Sequence, residues 1–228
     1  MPLLSIIDIV ALCWFLGAWI AYSIALSVTE RRRRGLNSEM NRYRDVWMLQ
    51  MLKRETRMVD AQIVAALQNG TAFFASTSLI AVGGTLTLLR SSEEIVQVVG
   101  TLPFGVQMTH VQWEAKTIGL AIIFVYAFFK FGWAYRLYNY VAILVGATPP
   151  ASQQDEPEAK AHALRVGRLC EVAGLHFNRG QRAFFFALGY LGWFISPWLL
   201  MISSVVVVVV LWRRQFASDS RRAVCGGE

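Results

Sequence analysis

Apolar residues along this chain come in long blocks, and the polar residues between them are grouped rather than alternating. Four blocks stand out, at 3–28, 63–89, 113–138 and 183–212. An α-helix rises 1.5 Å per residue, so about 20 apolar residues cross a hydrocarbon core of about 30 Å. Each block is therefore expected to be a membrane-spanning helix. Two segments between the blocks have a helical rhythm instead. In 38–62, Met40, Tyr43, Trp47, Met51 and Met58 recur at mostly helical spacing, and Arg42, Arg44, Lys53, Arg54 and Arg57 form a wet face. In 157–177, Val166, Leu169, Ala173 and Phe177 make a stripe opposite Lys160, Arg165, Arg168 and Glu171. Both read as amphipathic helices.

Punctuation refines these elements. Asn37-Ser38-Glu39 offers a start for the first amphipathic helix, because short polar side chains cap free backbone N–H groups. No Gly or Pro separates that helix from the second block, so it is expected to run on unbroken. Gly146 and Pro149-Pro150 should stop the third helix. Gly180 should loosen the junction into the last block, and Pro197 inside that block should kink it by removing a backbone hydrogen bond. Ile95, Val96, Val98 and Val99 are expected to form a short interfacial turn. The fold class is all-α: an integral membrane protein with four transmembrane helices and two amphipathic cytoplasmic helices. It forms one domain over 1–218, with a polar tail at 219–228.

Composition agrees with the blocks. Hydrophobic residues make up 55% and charged residues 16% of the chain, against about 25% charged in an average soluble domain. The net charge of +7 is explained by basic clusters beside spans, the positive-inside pattern. Segments 30–62 and 136–182 hold nine and six Lys+Arg, whereas 90–116 holds two. Arg31–Arg34 follow the first block and no positive charge precedes it, the reverse of a cleaved secretory signal. The expected location is the inner (cytoplasmic) membrane, with the N-terminus outside. One feature is a misfit: four spans put Arg213, Arg214, Arg221 and Arg222 outside, and no fifth apolar block is found. Zinc-finger spacing and RNA-binding motifs are absent, so no nucleic-acid partner is expected. Cys13, Cys170 and Cys225 are far apart and odd in number, and read as free thiols.

Candidate chemistry concentrates on the second block. At 100° per residue, Ala66, Gly70, Thr77, Ala81 and Gly84 share one line. Small residues let helices approach closely in lipid, so this line is the expected packing face and points to a homo-oligomer. Asp60, Thr71 and Ser78 form a second, polar line, expected to border protein or an aqueous path. Asp8, a carboxylate inside a span, is costly there and functional by default; Arg90 is its expected partner at the outer end. Asp60 and Glu55 should gather at the inner face with Lys130, Arg136, Arg179 and Arg182, a basic ring suited to attracting anions or to meeting lipid phosphates. His162, Cys170 and His176 lack the i, i+4 His pair or CxxC spacing of a metal site, so no metal is expected. Nucleotide, hydride and hydrolase motifs are also missing, so neither a cofactor nor enzymatic activity is expected.

Four stretches together carry a resemblance: RETRMVDAQIVAAL, FFASTSLIAVGGTL, FKFGWAYRLYNYVAILVGATPP and FNRGQRAFFFALGYLGWFISP. They resemble, in order and over roughly residues 5–218, the domain-of-unknown-function family number 599, membrane proteins of bacteria and plants. The resemblance implies the membrane class and four spans, and nothing catalytic. The leading expectation is an oligomeric channel or transporter for a small ion or solute, its path lined by Asp60, Thr71, Ser78 and Lys130. The alternative is a non-enzymatic scaffold in the lipid bilayer that binds anionic lipid headgroups or a partner membrane protein through its basic inner loops.

Overall fold

A computed structural model describes residues 4–32, 35–91, 93 and 108–225, and there is no strand among them. The α-helices of these residues are α1 (Ile6–Arg32), α2 (Leu36–Leu52), α3 (Met58–Arg90), α4 (His110–Gly146), α5 (Pro157–Tyr190), α6 (Pro197–Phe216) and α7 (Asp219–Cys225). The turn expected at 95–99 lies outside the described residues, as do Arg33 and Arg34. Four stretches are long and apolar enough to cross a membrane: Ile6–Thr29, Met58–Arg90, His110–Gly146 and Pro197–Val224.

Helix length decides the architecture. α3, α4 and α5 have 33, 37 and 34 residues, so each is about 50–55 Å long, far beyond a bilayer core of about 30 Å. α3 packs along α4, and α4 along α5. α1 and α6 pair beside one half of this array, while α2 lies on α5 in the other half. The bundle therefore has two storeys, named below by the carboxylates at their ends, Asp8 and Asp60. The Asp8 storey holds an aromatic core that includes Phe15, Phe131, Phe186, Tyr190 and Trp193. Phe15 meets Phe186 and Tyr190 edge-on at 5.7 and 5.4 Å, and Trp19 stacks on Phe186 at 4.8 Å. Each such pair adds about 0.5–1.5 kcal/mol beyond its buried area. Outward, this storey is apolar: Ile20, Ile24, Ile80, Ile122 and Ile202 are exposed. The Asp60 storey is a four-helix arrangement around Met48, Met51, Val64, Val141 and Val166.

Local chemistry explains two helix starts. α4 starts at a capping box, in which Thr109 Oγ1 accepts from Gln112 N–H and Gln112 Oε1 accepts from Thr109 N–H; two orphan donors are thereby satisfied. Pro157 sits in the first turn of α5, where a missing N–H costs nothing.

Three expectations are corrected here. The first amphipathic helix does not run unbroken into the second block; it stops at Leu52 and α3 starts at Met58. The bend is held by side chains: Arg54 and Trp47 both donate to Asp60 across it. Gly180 does not loosen a junction, for α5 passes straight through it. A Cβ there would come within 2.7 Å of the Phe131 ring, so this glycine lets α4 and α5 touch. The block 183–212 is not one kinked helix. α5 ends at Tyr190, a turn covers Leu191–Phe194, and Pro197 opens α6 behind Ser196, whose Oγ accepts from Trp198 N–H. Proline thus begins a helix at this position, where it loses no bond.

That hairpin also reverses the chain's direction ahead of the arginine tail. α5 begins beside the end of α4, with His162 Nε2 2.9 Å from Leu144 O, and finishes against Phe15 and Gly119 at the Asp8 end. α6 then returns, and its Gln215 reaches Gly35, just after α1. The upper part of α5, toward Tyr190, is the first arm of that hairpin. It went unseen because Asn178, Arg179, Gln181 and Arg182 interrupt its apolar run.

Candidate functional site

Asp8 and Lys116 are 6% and 4% exposed and form an ion pair at 3.7 Å. Trp193 Nε1–H donates to Asp8 Oδ1 at 2.7 Å, and Lys116 Nζ donates to the Trp193 carbonyl at 2.8 Å. Ser5 donates its hydroxyl and its N–H to Asp8 Oδ2. The ammonium also lies 5.2 Å from the Trp193 ring centroid, which favours a cation. Three distant parts of the chain meet on one carboxylate. The expected Asp8–Arg90 pair is corrected: Lys116 supplies the charge, and Arg90 is exposed at the end of α3. Beside the pair, the buried Tyr190 hydroxyl has no hydrogen-bond partner, and a Cβ on Gly119 would sit 2.0 Å from it.

Asp60, fully buried at the start of α3, has an analogous shell. Trp47 Nε1–H donates to Asp60 Oδ1 at 2.7 Å and Arg54 donates to the same oxygen at 2.5 Å. Arg57 reaches across to α4, donating to the carbonyls of Thr148 and Pro149. A guanidinium at a helix C-terminus meets the negative end of the helix dipole as well as unpaired carbonyls. The Asp60 cluster is thus a clasp between the α2–α3 bend and the Thr148–Pro149 segment just after α4.

On α3 the polar line borders protein, one of the two settings expected for it. Asp60, Thr71 and Ser78, together with Val64 and Thr85, are its buried residues, and α3 packs along α4. Thr71 and Ser78 are 1% and 0% exposed, and each hydroxyl donates to its own helix at Leu67 O and Phe74 O. A hydroxyl that turns back on its own carbonyl is satisfied and compact, so Ser and Thr serve as close-packing residues in lipid. Within one chain the polar line is closed. Ala66, Gly70 and Gly84 of the small-residue line are exposed, Thr77 and Ala81 half-buried. Nothing lies within 4 Å of a Cβ built on Gly70 or Gly84. A further polar link, Gln68 Nε2–H to Asn139 Oδ1 at 2.7 Å, joins α3 to α4.

The basic residues do not form one ring. Lys130 lies over the Tyr126 ring at the boundary between storeys, far along α4 from the Asp60 clasp. Arg136 is exposed, stacked against Trp133 and Tyr140, and donates Nε–H to the Tyr140 hydroxyl. Arg179 and Arg182 come together in a cleft of about 280 Å³ between α1, α4 and α5. Glu55 lines a separate cavity with Arg57.

The residues weighed for metal binding lie in separate settings. His162 bonds the end of α4. Cys170 is fully buried, its thiol pushed up by burial, with Arg44 opposing. His176 is held below its usual value by desolvation and by the nearby Lys130 and Arg179. Among the described residues no three His, Cys, Asp or Glu side chains converge as metal ligands.

Sequence reasoning missed Lys116, Trp193, Trp47 and the Gln68–Asn139 link. Lys116 carried a usable signal, for it lies one turn after Trp113 at the start of an apolar helix and is not a loop residue.

Bundle and clusters define a class: an all-helical chain with four helices suited to crossing a membrane and a charged helical storey at one end. The chain belongs to the family described as "Protein of unknown function, DUF599", whose profile matches residues 10–220. Searches of curated proteins and of solved structures gave no match.

Proposed function

We propose that this is a multi-pass protein of the cytoplasmic membrane acting as a non-enzymatic scaffold on anionic lipid. Its Asp8 storey lies in the bilayer and its Asp60 storey in the cytoplasm. The observation that supports this most is the placement of charge. Among the described residues, Arg90 and Lys116 are the basic side chains at the Asp8 end, and Lys116 is consumed by Asp8. Arg42, Arg54, Arg136, Arg168, Arg213 and Arg214 are exposed on the other side of the apolar zone. Each basic residue near an anionic leaflet adds about 1 kcal/mol of attraction.

A conduit along Asp60, Thr71 and Ser78 is less well supported, because all three are buried, Thr71 and Ser78 bond back to their own helix, and Asp60 Oδ1 is taken by Trp47 and Arg54. Reconstitution separates the readings. A scaffold gives proteoliposomes with no more flux of ions or small solutes than empty vesicles. It also retains anionic lipid through purification, with retention falling at high salt and on neutralising Arg31–Arg34. Solute flux that changes with Asp60→Ala or Ser78→Ala would restore the conduit.

A further inference from the structure

The cleft between α1, α4 and α5 combines features that belong together only at a membrane surface. Arg179 and Arg182 line it with Ser23 and Ser27, and Trp19 and Tyr126 form apolar walls. No carboxylate lines it. Lys130 stands over the ring of Tyr126, and His176 has a buried Nδ1 without a partner in the electrostatic reach of both Lys130 and Arg179. Arg182 also lines a neighbouring cleft with Arg214. Positive charge and the Ser23 hydroxyl thus line a space of about 280 Å³, while Ser27 turns its hydroxyl back to Ile24 O.

Depth gives the space its meaning. Ser27 is 19 residues after Asp8 on one helix, about 28 Å away at 1.5 Å per residue. That is close to the hydrocarbon thickness of a bilayer. With Asp8 at one boundary, Ser23, Ser27 and the two arginines fall at the other, where lipid phosphates reside. Trp19 and Tyr126 line the side that leads back into the apolar zone.

We infer that this cleft binds the phosphate of an anionic phospholipid, with Arg179 and Arg182 as charge-assisted donors, Ser23 as a hydroxyl donor, and an acyl chain against Trp19 and Tyr126. Guanidinium groups suit the role because their planar fork matches phosphate oxygens. The inference rests on the proposed membrane placement but goes further, assigning lipid to one site instead of a diffuse basic surface.

Native mass spectrometry of the full-length chain released from nanodiscs tests it, with phosphatidylglycerol set against phosphatidylcholine. The expected result is a retained phosphatidylglycerol adduct whose occupancy drops by roughly tenfold or more in Arg179→Gln/Arg182→Gln, as for loss of charge-assisted hydrogen bonds. Arg221→Gln/Arg222→Gln should leave it unchanged. A photoreactive acyl-chain phosphatidylglycerol, used on the unaltered chain, should label the Trp19–Tyr126 region, so the answer does not depend on a variant folding. Labelling elsewhere, or full occupancy in the arginine double variant, overturns the site. Displacement of the adduct by millimolar inorganic phosphate overturns the lipid assignment in favour of a free anion. Loss of the cleft adduct with salt-sensitive lipid retention intact sinks this inference alone; no preference for anionic lipid in any form sinks the scaffold reading as well.

Discussion

Asp8 and Asp60 are held by the same two kinds of group, an indole N–H and a basic side chain, yet the two clusters differ in reach. At Asp8 the indole is 185 residues away and the cation 108 residues away in sequence, and both charges are almost fully buried. At Asp60 the partners are 13 and 6 residues away, and the Arg54 side chain is 42% exposed. The first cluster ties α1, α4 and the α5–α6 turn into one storey. The second shapes a bend, and only Arg57 carries its effect to α4. Similar chemistry therefore acts globally at one end and locally at the other.

The sharpest way to break that contrast is to remove one charge from each pair. Lys116→Met leaves Asp8 as an uncompensated buried carboxylate, and should cost about 3–5 kcal/mol, seen as a large fall in thermal midpoint in detergent. Asp8→Asn combined with Lys116→Met should recover much of that loss, because neither charge is then buried. Asp60→Asn should cost about 1–3 kcal/mol, since Arg54 can turn to water. Its effect should be confined to faster proteolysis and hydrogen exchange around 53–60. A global loss as large as that of Lys116→Met would erase the distinction.

Smaller effects test the packing around these clusters. Gly119→Ala drives a methyl into the Tyr190 hydroxyl and should cost about 1–3 kcal/mol, most of it restored by adding Tyr190→Phe, which removes the clash and an unpaired buried group. A Cβ at Gly70 or Gly84 meets nothing within 4 Å among the described residues, so Gly70→Leu with Gly84→Leu should change monomer stability by less than about 0.5 kcal/mol. The same pair should shift the mass of the expected homo-oligomer toward monomer. The Cys170 thiol is pushed above its usual value by burial. The unfolded thiol therefore ionises first, so stability from this group falls as pH rises past the ordinary thiol value. Alkylation of folded protein at pH 8.5 should be slow compared with that after denaturation.

Much of the architecture was legible because lipid imposes long apolar helices, and 3–28, 63–89 and 113–138 each fall largely inside a single observed helix. Asp8 was legible as an anomaly, since a carboxylate in an apolar run demands a partner. Its partner was not, because nothing in periodicity links Lys116 and Trp193 to a residue more than 100 positions earlier. The bend at 53–57 was hidden for a related reason: side-chain bonds to Asp60 and to the end of α4 make it, not a Gly or Pro. The reversal between α5 and α6 was hidden by the polar residues of α5, which line clefts. On α3 the two lines were separated correctly, and the polar line took the protein-facing one of its two expected settings. Self-bonded hydroxyls pack as closely as glycine does, a property that residue polarity conceals.

The central claim is the two-storey placement, with the α5–α6 turn outside and both the α4–α5 connection and the chain's last helix inside. Single cysteines at Ser196, Ser152 or Ser218, in a chain whose own three cysteines are replaced by alanine, read this out in intact cells through a membrane-impermeant maleimide. Ser196→Cys should label without permeabilisation, whereas Ser152→Cys and Ser218→Cys should label only after it. Labelling of Ser218→Cys in intact cells, with Ser196→Cys protected, would mean that 183–212 crosses once and would contradict the account.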